Sequence, residues 1–150
     1  MPSTLLMIQA IAQNIALFCC ALFAGGSIYV SLVEDPAAAE GDIELASAYL
    51  LWAHLRPAVV QASFAAIAAL AGILTGLAGG TVSWVIGGVI LGMAAVLYLY
   101  VVIPETRSLR NIDPAADSKH ASRLFARLAR LHAALSLASL GALFIFIMQT

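Results

Sequence analysis

Seven polar side chains stand at the edges of long apolar runs: Glu34, Asp35, His54, Arg56, Gln61, Glu105 and His132. A histidine or carboxylate beside an apolar pocket suits general-base work on an acidic C–H or O–H, since burial moves such a group toward neutrality. An arginine and an amide near it suit an oxyanion. His132 with Glu34 as the alternative base, and Arg56 with Gln61 as the anion-stabilising pair, form the candidate catalytic set. His54, His132, Glu34 and Glu105 are a weaker set for a transition metal, because no pair has the Glu-x-x-His spacing of di-iron helices. His54 and His132 could in principle ligate haem, but lone histidines on separate segments are a poor haem signature. General-base chemistry at these groups would need no cofactor, with a transition metal or haem as the weaker alternatives. For Asp35, Arg56 and Glu105 a wetted helix end competes with a functional role, whereas His132 and Gln61 lie deeper in apolar sequence.

What must position these groups follows from composition. Hydrophobic residues make up 63% of 150 and charged residues 10%, against about 25% charged in soluble domains. A soluble domain of this length has too little interior to hide so much apolar surface. Nucleic-acid binding is excluded by a net charge of −1 and only seven Lys and Arg. Cys19 and Cys20 are adjacent within an apolar run, so neither a disulfide framework nor a CxxC knuckle exists. No glycine-rich phosphate loop and no nucleophile elbow is found, which removes nucleotide cofactors and serine-hydrolase chemistry.

All fifteen charged residues fall between Glu34 and Arg56 or between Glu105 and Arg130. The uncharged stretches left over hold 33, 48 and 20 residues, and a bilayer core needs about 20 helical residues. The middle stretch divides at Gly79-Gly80-Thr81. The expectation is an all-α integral membrane protein, a single antiparallel four-helix domain with spans at 5–33, 57–78, 82–103 and 130–149. Pro36 should end the first helix, and Asp42 should cap a short amphipathic cytoplasmic helix from Ile43 to Leu55. A polar connector should follow Pro104, with Asp113-Pro114 opening the last helix. The N-terminal run is too long and lacks the basic flank of a cleavable signal.

Every Lys and Arg then lies on one side, which the positive-inside rule makes cytoplasmic, with both termini outside and a bacterial inner membrane as the location. Trp84, Tyr98 and Tyr100 fit interfacial belts. Lys119, Arg123, Arg127 and Arg130 form a basic stripe that anchors topology. Gly72-x-x-x-Gly76 and Gly88-x-x-x-Gly92 let backbones approach closely, within a helix two–three pair or between copies in a homo-oligomer. Gln13, Cys20, Ser27, Ser31 and Glu34 share one face of helix one, and His132, Ser136 and Ser139 one face of helix four.

Several segments resemble the anthrone oxygenase-like family of small membrane proteins. Leu22-Phe-Ala-Gly-Gly-Ser-Ile-Tyr-Val-Ser-Leu-Val-Glu34-Asp35-Pro36-Ala37 is similar to its first-helix signature. Arg56 with Gln61-Ala62-Ser63, Ile103-Pro104-Glu105-Thr106-Arg107-Ser108-Leu109 and Arg130-Leu131-His132-Ala133 resemble its later elements, in the same order. The chain departs from that pattern at Asp35, Thr106 and Leu135, where relatives carry His, Asn and Arg. The resemblance implies a four-helix membrane fold and cofactor-independent oxygenation of a lipophilic aromatic or quinone-like substrate. The other class compatible with the residues is a non-enzymatic binding or accessory protein for a lipid, a quinone or a partner helix.

Overall fold

The computed structural model describes residues 4–40, 55–111 and 117–150. Among these, every regular element is helical. Four helices are long and apolar enough to cross a membrane. Helix α1 joins Thr4–Tyr29, a π turn at Val30–Glu34 and Asp35–Glu40; α2 is Leu55–Leu77. Helix α3 joins Val82–Leu97, a second π turn at Tyr98–Val102 and Ile103–Arg110; α4 is Ser118–Ile147. The amphipathic segment expected at Ile43 to Leu55, apart from Leu55 itself, lies outside the described residues, as do His54, Asp113 and Pro114.

Two helix ends differ from the expectation, and proline explains both. The first helix does not stop near Val33 but runs through Pro36 to Glu40, and the third runs through Pro104 to Arg110. A proline ring inside an α-helix lacks an N–H and collides with the carbonyl four residues back. Here each proline follows a π turn at the same offset. The Asp35 N–H reaches Val30 O and the Ile103 N–H reaches Tyr98 O, five residues back in both cases. The widened turn moves carbonyls out of the way of the ring, so the helix continues. Helix α4 begins earlier than the membrane-level segment at Arg130, with Asp117 as its cap: Oδ1 accepts from the His120 N–H at 3.1 Å.

The helices pack α1 on α2 and α4, and α3 on α2 and α4. Helix α2 supplies the closest contacts because one of its faces is nearly bare of side chain. Ala58, Ala62, Ala65, Ala69, Gly72 and Gly76 recur at helical spacing along it. A Cβ on Gly88 of α3 would stand 2.8 Å from Ala69 O, and one on Gly72 would stand 3.3 Å from the Gly88 Cα. Without a hydrophobic force between helices in lipid, such close backbone approach maximises van der Waals contact. Gly72, Gly76 and Gly88 are thus taken up inside the chain, while Gly92 meets only the Ala69 side chain at 3.7 Å.

The α2–α3 turn lies where Gly79-Gly80-Thr81 was expected. Gly79 adopts φ 106° and the Gly80 N–H bonds Thr75 O at 3.0 Å, a Schellman closure that favours glycine. Thr81 Oγ1 donates to Gln149 Oε1 at 2.6 Å, and Gln9 lies beside Gly79. Trp84 and Tyr98 are not belt residues. Both are buried: Trp84 stacks on Phe146 with ring centres 4.6 Å apart, and Tyr98 meets Phe23 edge-on at 5.9 Å. Tyr100 is exposed. Large apolar side chains such as Phe18, Leu70, Leu77, Leu137 and Phe144 point outward, leaving an apolar exterior on all four helices.

Candidate functional site

His132 enters the interior from α4 and is 3% exposed. A buried imidazole needs a polar partner, and Asp35 of α1 provides it: Nδ1 lies 3.0 Å from Oδ2 and 3.2 Å from Oδ1. A carboxylate only accepts, so Nδ1 carries the proton in this pair and Nε2 is the basic nitrogen of the neutral ring. One turn further in, the same two helices are tied by Ser31 Oγ and Ser136 Oγ at 2.8 Å. The Ser136 hydroxyl already donates to His132 O at 2.9 Å, so Ser31 is the donor of the pair. Deeper still, the Cys20 thiol faces Ser139 O at 3.8 Å. The small and polar faces of helices one and four therefore meet each other, rather than forming one continuous cavity lining.

The first π turn sets up the division of labour at the end of α1. Glu34 and Asp35 are consecutive, about 100° apart around a helix. Asp35 turns to His132, and Glu34 turns into a cavity of about 240 Å³. All four helices contribute to that cavity: Gly26, Val30 and Glu34 from α1, Ala58 and Gln61 from α2, Tyr98, Val102 and Thr106 from α3, and His132 from α4. Val30 with Glu34 and Tyr98 with Val102 bracket the two π turns, so the proline-relieving irregularities are also the cavity walls. The Tyr98 ring lies nearly parallel to that of His132, with centres 6.5 Å apart.

Gln61 reaches the cavity because Gly26 has no side chain. A Cβ on Gly26 would overlap the Gln61 amide nitrogen, whereas a Cβ on Gly25 would meet nothing within 4 Å. The buried Gln61 Oε1 has no hydrogen-bond partner among the described residues. An unpaired buried amide oxygen costs about 1–3 kcal/mol, so the fold leaves a polar demand at this point.

Of the candidate catalytic residues, His132, Glu34 and Gln61 share the cavity. Arg56 lies in the first turn of α2 with its side chain outside the described residues. Of the weaker metal set, Glu105 is not among the residues that line this cavity; its Oε1 pairs with Arg127 Nε at 2.9 Å. No group of three or more His, Cys, Asp or Glu among the described residues is arranged to hold a metal ion. Lys119, Arg123 and Arg130, like Arg127, are exposed.

Two site residues escape the sequence reading, and for a third, Asp35, sequence sets a wetted helix end against a functional role; it faces the histidine 97 positions away. Tyr98 read as an interfacial aromatic. Thr106 read only as a departure from a family pattern, yet it is buried, donates to Val102 O at 2.8 Å and lines the cavity. No spacing rule could have paired Asp35 with His132; the only signal was that both sit where an apolar run meets charge. No protein-family profile, curated protein or solved structure matches the chain.

Proposed function

We infer that this protein is an antiparallel four-helix membrane protein that deprotonates a lipophilic aromatic hydroxyl compound in its central cavity and lets the anion react with dioxygen. The observation that carries the reading is one contact, the buried His132 held by Asp35 at the edge of a cavity it shares with Glu34 and Gln61. The resemblance to anthrone oxygenase-like proteins points the same way. The antiparallel arrangement is supported at both ends. Gln9, the Gly79 turn and Gln149 gather at one, and Asp35–His132 and Glu105–Arg127 join helices at the other. With all basic residues at the second end, that end is cytoplasmic and both termini are outside.

The chemistry balances without a bound cofactor. Nε2 of His132 takes the hydroxyl proton, and Asp35 stabilises the imidazolium that results. The anion is held by the Gln61 amide, and its charge spreads to the ring carbon opposite the oxygen. That carbon bonds to dioxygen, and the peroxide anion recovers a proton from His132. Loss of water from the hydroperoxide then leaves a second carbonyl. One oxygen atom enters the product, the other leaves as water, and a phenol becomes a quinone. Dioxygen and such substrates both partition into lipid, which gives the reaction a reason to be embedded.

Oxygen uptake by the detergent-purified protein with hydroxylated aromatics tests this. The His132→Ala variant should lose about 10²–10⁴-fold in rate while remaining folded. Full activity in that variant would remove the base. No uptake with any such compound, together with tight lipid binding, would favour an accessory binding role instead.

A further inference from the structure

The outer face of α4 at its charged end carries a concentration of positive charge that the cavity chemistry does not use. Lys119, Arg123, Arg127 and Arg130 recur at steps of four, four and three, which places them within about 80° of one another around the helix. The buried residues of the same stretch, Ala121, Leu128, His132 and Leu135, lie on the opposite side, against the bundle. No acidic residue stands between Ser118 and Thr150. Arg127 is committed to Glu105, whereas Lys119, Arg123 and Arg130 are exposed and pair with no carboxylate among the described residues.

The depth of each cation follows from helix geometry. The 20 residues from Leu131 to Thr150 span about 30 Å, the thickness of the hydrocarbon core. Arg130 therefore stands where acyl chains give way to headgroups, with Arg123 about 10 Å and Lys119 about 16 Å further from the bilayer centre. Side chains on a helix lean toward its N-terminus, here the charged end. Arg130 does so: its Nε–H donates to Ala126 O at 3.1 Å. That bond carries the guanidinium from the boundary toward the level of lipid phosphates. It leaves the Nη groups without a protein partner among the described residues.

On the membrane side of Arg130 the same face is low and apolar. Ala133, Ala134 and Gly141 are exposed, and a Cβ on Gly141 would meet nothing within 4 Å. Leu137 and Phe144 stand out beside them. Together they offer an acyl chain a shallow track that begins under the guanidinium.

We propose that this face of α4 binds an anionic phospholipid, with the phosphate on Arg130, an acyl chain along Ala133, Ala134, Leu137 and Gly141, and Arg123 and Lys119 contributing in falling order. This rests on the membrane placement of α4 and is independent of the oxygenase chemistry.

The test is native mass spectrometry of the purified full chain in neutral detergent. The chain is titrated with phosphatidylglycerol, with phosphatidylcholine of the same acyl chains, and with inorganic phosphate. Each cation close to an anionic lipid contributes about five-fold in affinity, so phosphatidylglycerol should bind at least about ten-fold more tightly than phosphatidylcholine. Arg130→Ala should weaken phosphatidylglycerol binding at least about five-fold. Arg123→Ala should weaken it about two- to three-fold and Lys119→Ala less than about two-fold, because charge is screened over about 8 Å at physiological salt. All three side chains are exposed, so the variants should fold, which circular dichroism checks. Equal affinity for the two lipids would overturn the proposal, as would an Arg130→Ala protein that keeps the full preference. A preference that survives with the order of the three variants reversed would overturn the assignment to Arg130 and with it the placement of the boundary on α4. Displacement of the lipid by millimolar phosphate would show a free-anion site instead. Tight binding of hexaglutamate without any lipid preference would overturn the proposal in favour of an acidic protein partner.

Discussion

Alanine at Gly88 and alanine at Gly25 are the same chemical change in two apolar helices, and the structure separates them sharply. A Cβ on Gly88 would lie 2.8 Å from Ala69 O, 2.9 Å from Ile73 Cγ1 and 3.0 Å from Ile73 N. The first of these is about 0.6 Å inside the 3.4 Å at which ordinary contact begins. Two of the three atoms are α2 backbone, which cannot rotate aside as a side chain can, so α2 and α3 must move apart locally. Such overpacking costs about 1–3 kcal/mol. A Cβ on Gly25 meets nothing within 4 Å. Both substitutions gain the same helix-propensity term, about 0.5–1 kcal/mol, which cancels in the difference. Gly88→Ala should therefore be less stable than Gly25→Ala by about 1–3 kcal/mol. The measurement is reversible unfolding in mixed detergent micelles titrated with a denaturing detergent, followed by circular dichroism. Equal midpoints for the two variants would refute the close α2–α3 approach.

Two further outcomes follow from the polar contacts. Asp35→Asn removes the charge that faces the His132 ring at 3.0 Å while keeping the side chain's size. A hydrogen bond to a charged group contributes about 1.5–3 kcal/mol, so oxygen uptake should fall about 10–150-fold with the fold retained. Nitrogen NMR of the imidazole should show the proton leaving Nδ1 for part of the population, and an unchanged rate and tautomer would refute the orienting role. Arg127→Ala, by contrast, should shift stability by about 1 kcal/mol, because the Arg127 side chain is 60% exposed although that of Glu105 is only 14% exposed; a loss above about 2 kcal/mol in the same unfolding assay would show that the largely buried Glu105 carboxylate depends on its partner.

The sequence by itself determined the four long helices, because their signal is local. Uncharged runs of 33, 48 and 20 residues between two charged windows leave few other arrangements for an apolar chain of this kind. It also located the α2–α3 turn, since Gly79-Gly80 interrupts the middle run and Gly79 takes a positive φ. The level at which Glu34, Gln61 and His132 meet was legible from their common distance to the ends of those runs.

What tertiary structure alone decided are the properties that depend on which faces oppose each other. Pro36 and Pro104 read locally as helix ends; each instead follows a π turn, and both turns wall the cavity. Asp35 and Glu34 are neighbours with the same carboxyl chemistry, yet one orients His132 and the other faces the cavity. Gly25 and Gly26 are indistinguishable in sequence, but only Gly26 lies under Gln61. Trp84 read as an interfacial anchor and is a core residue because α4 brings Phe146 against it. In each case the deciding neighbour comes from another turn or another helix, so no window of residues around the position contains the information. Helix formation is set by local hydrogen bonding and apolar length, whereas the site is set by the rotation and separation of helices that small residues allow.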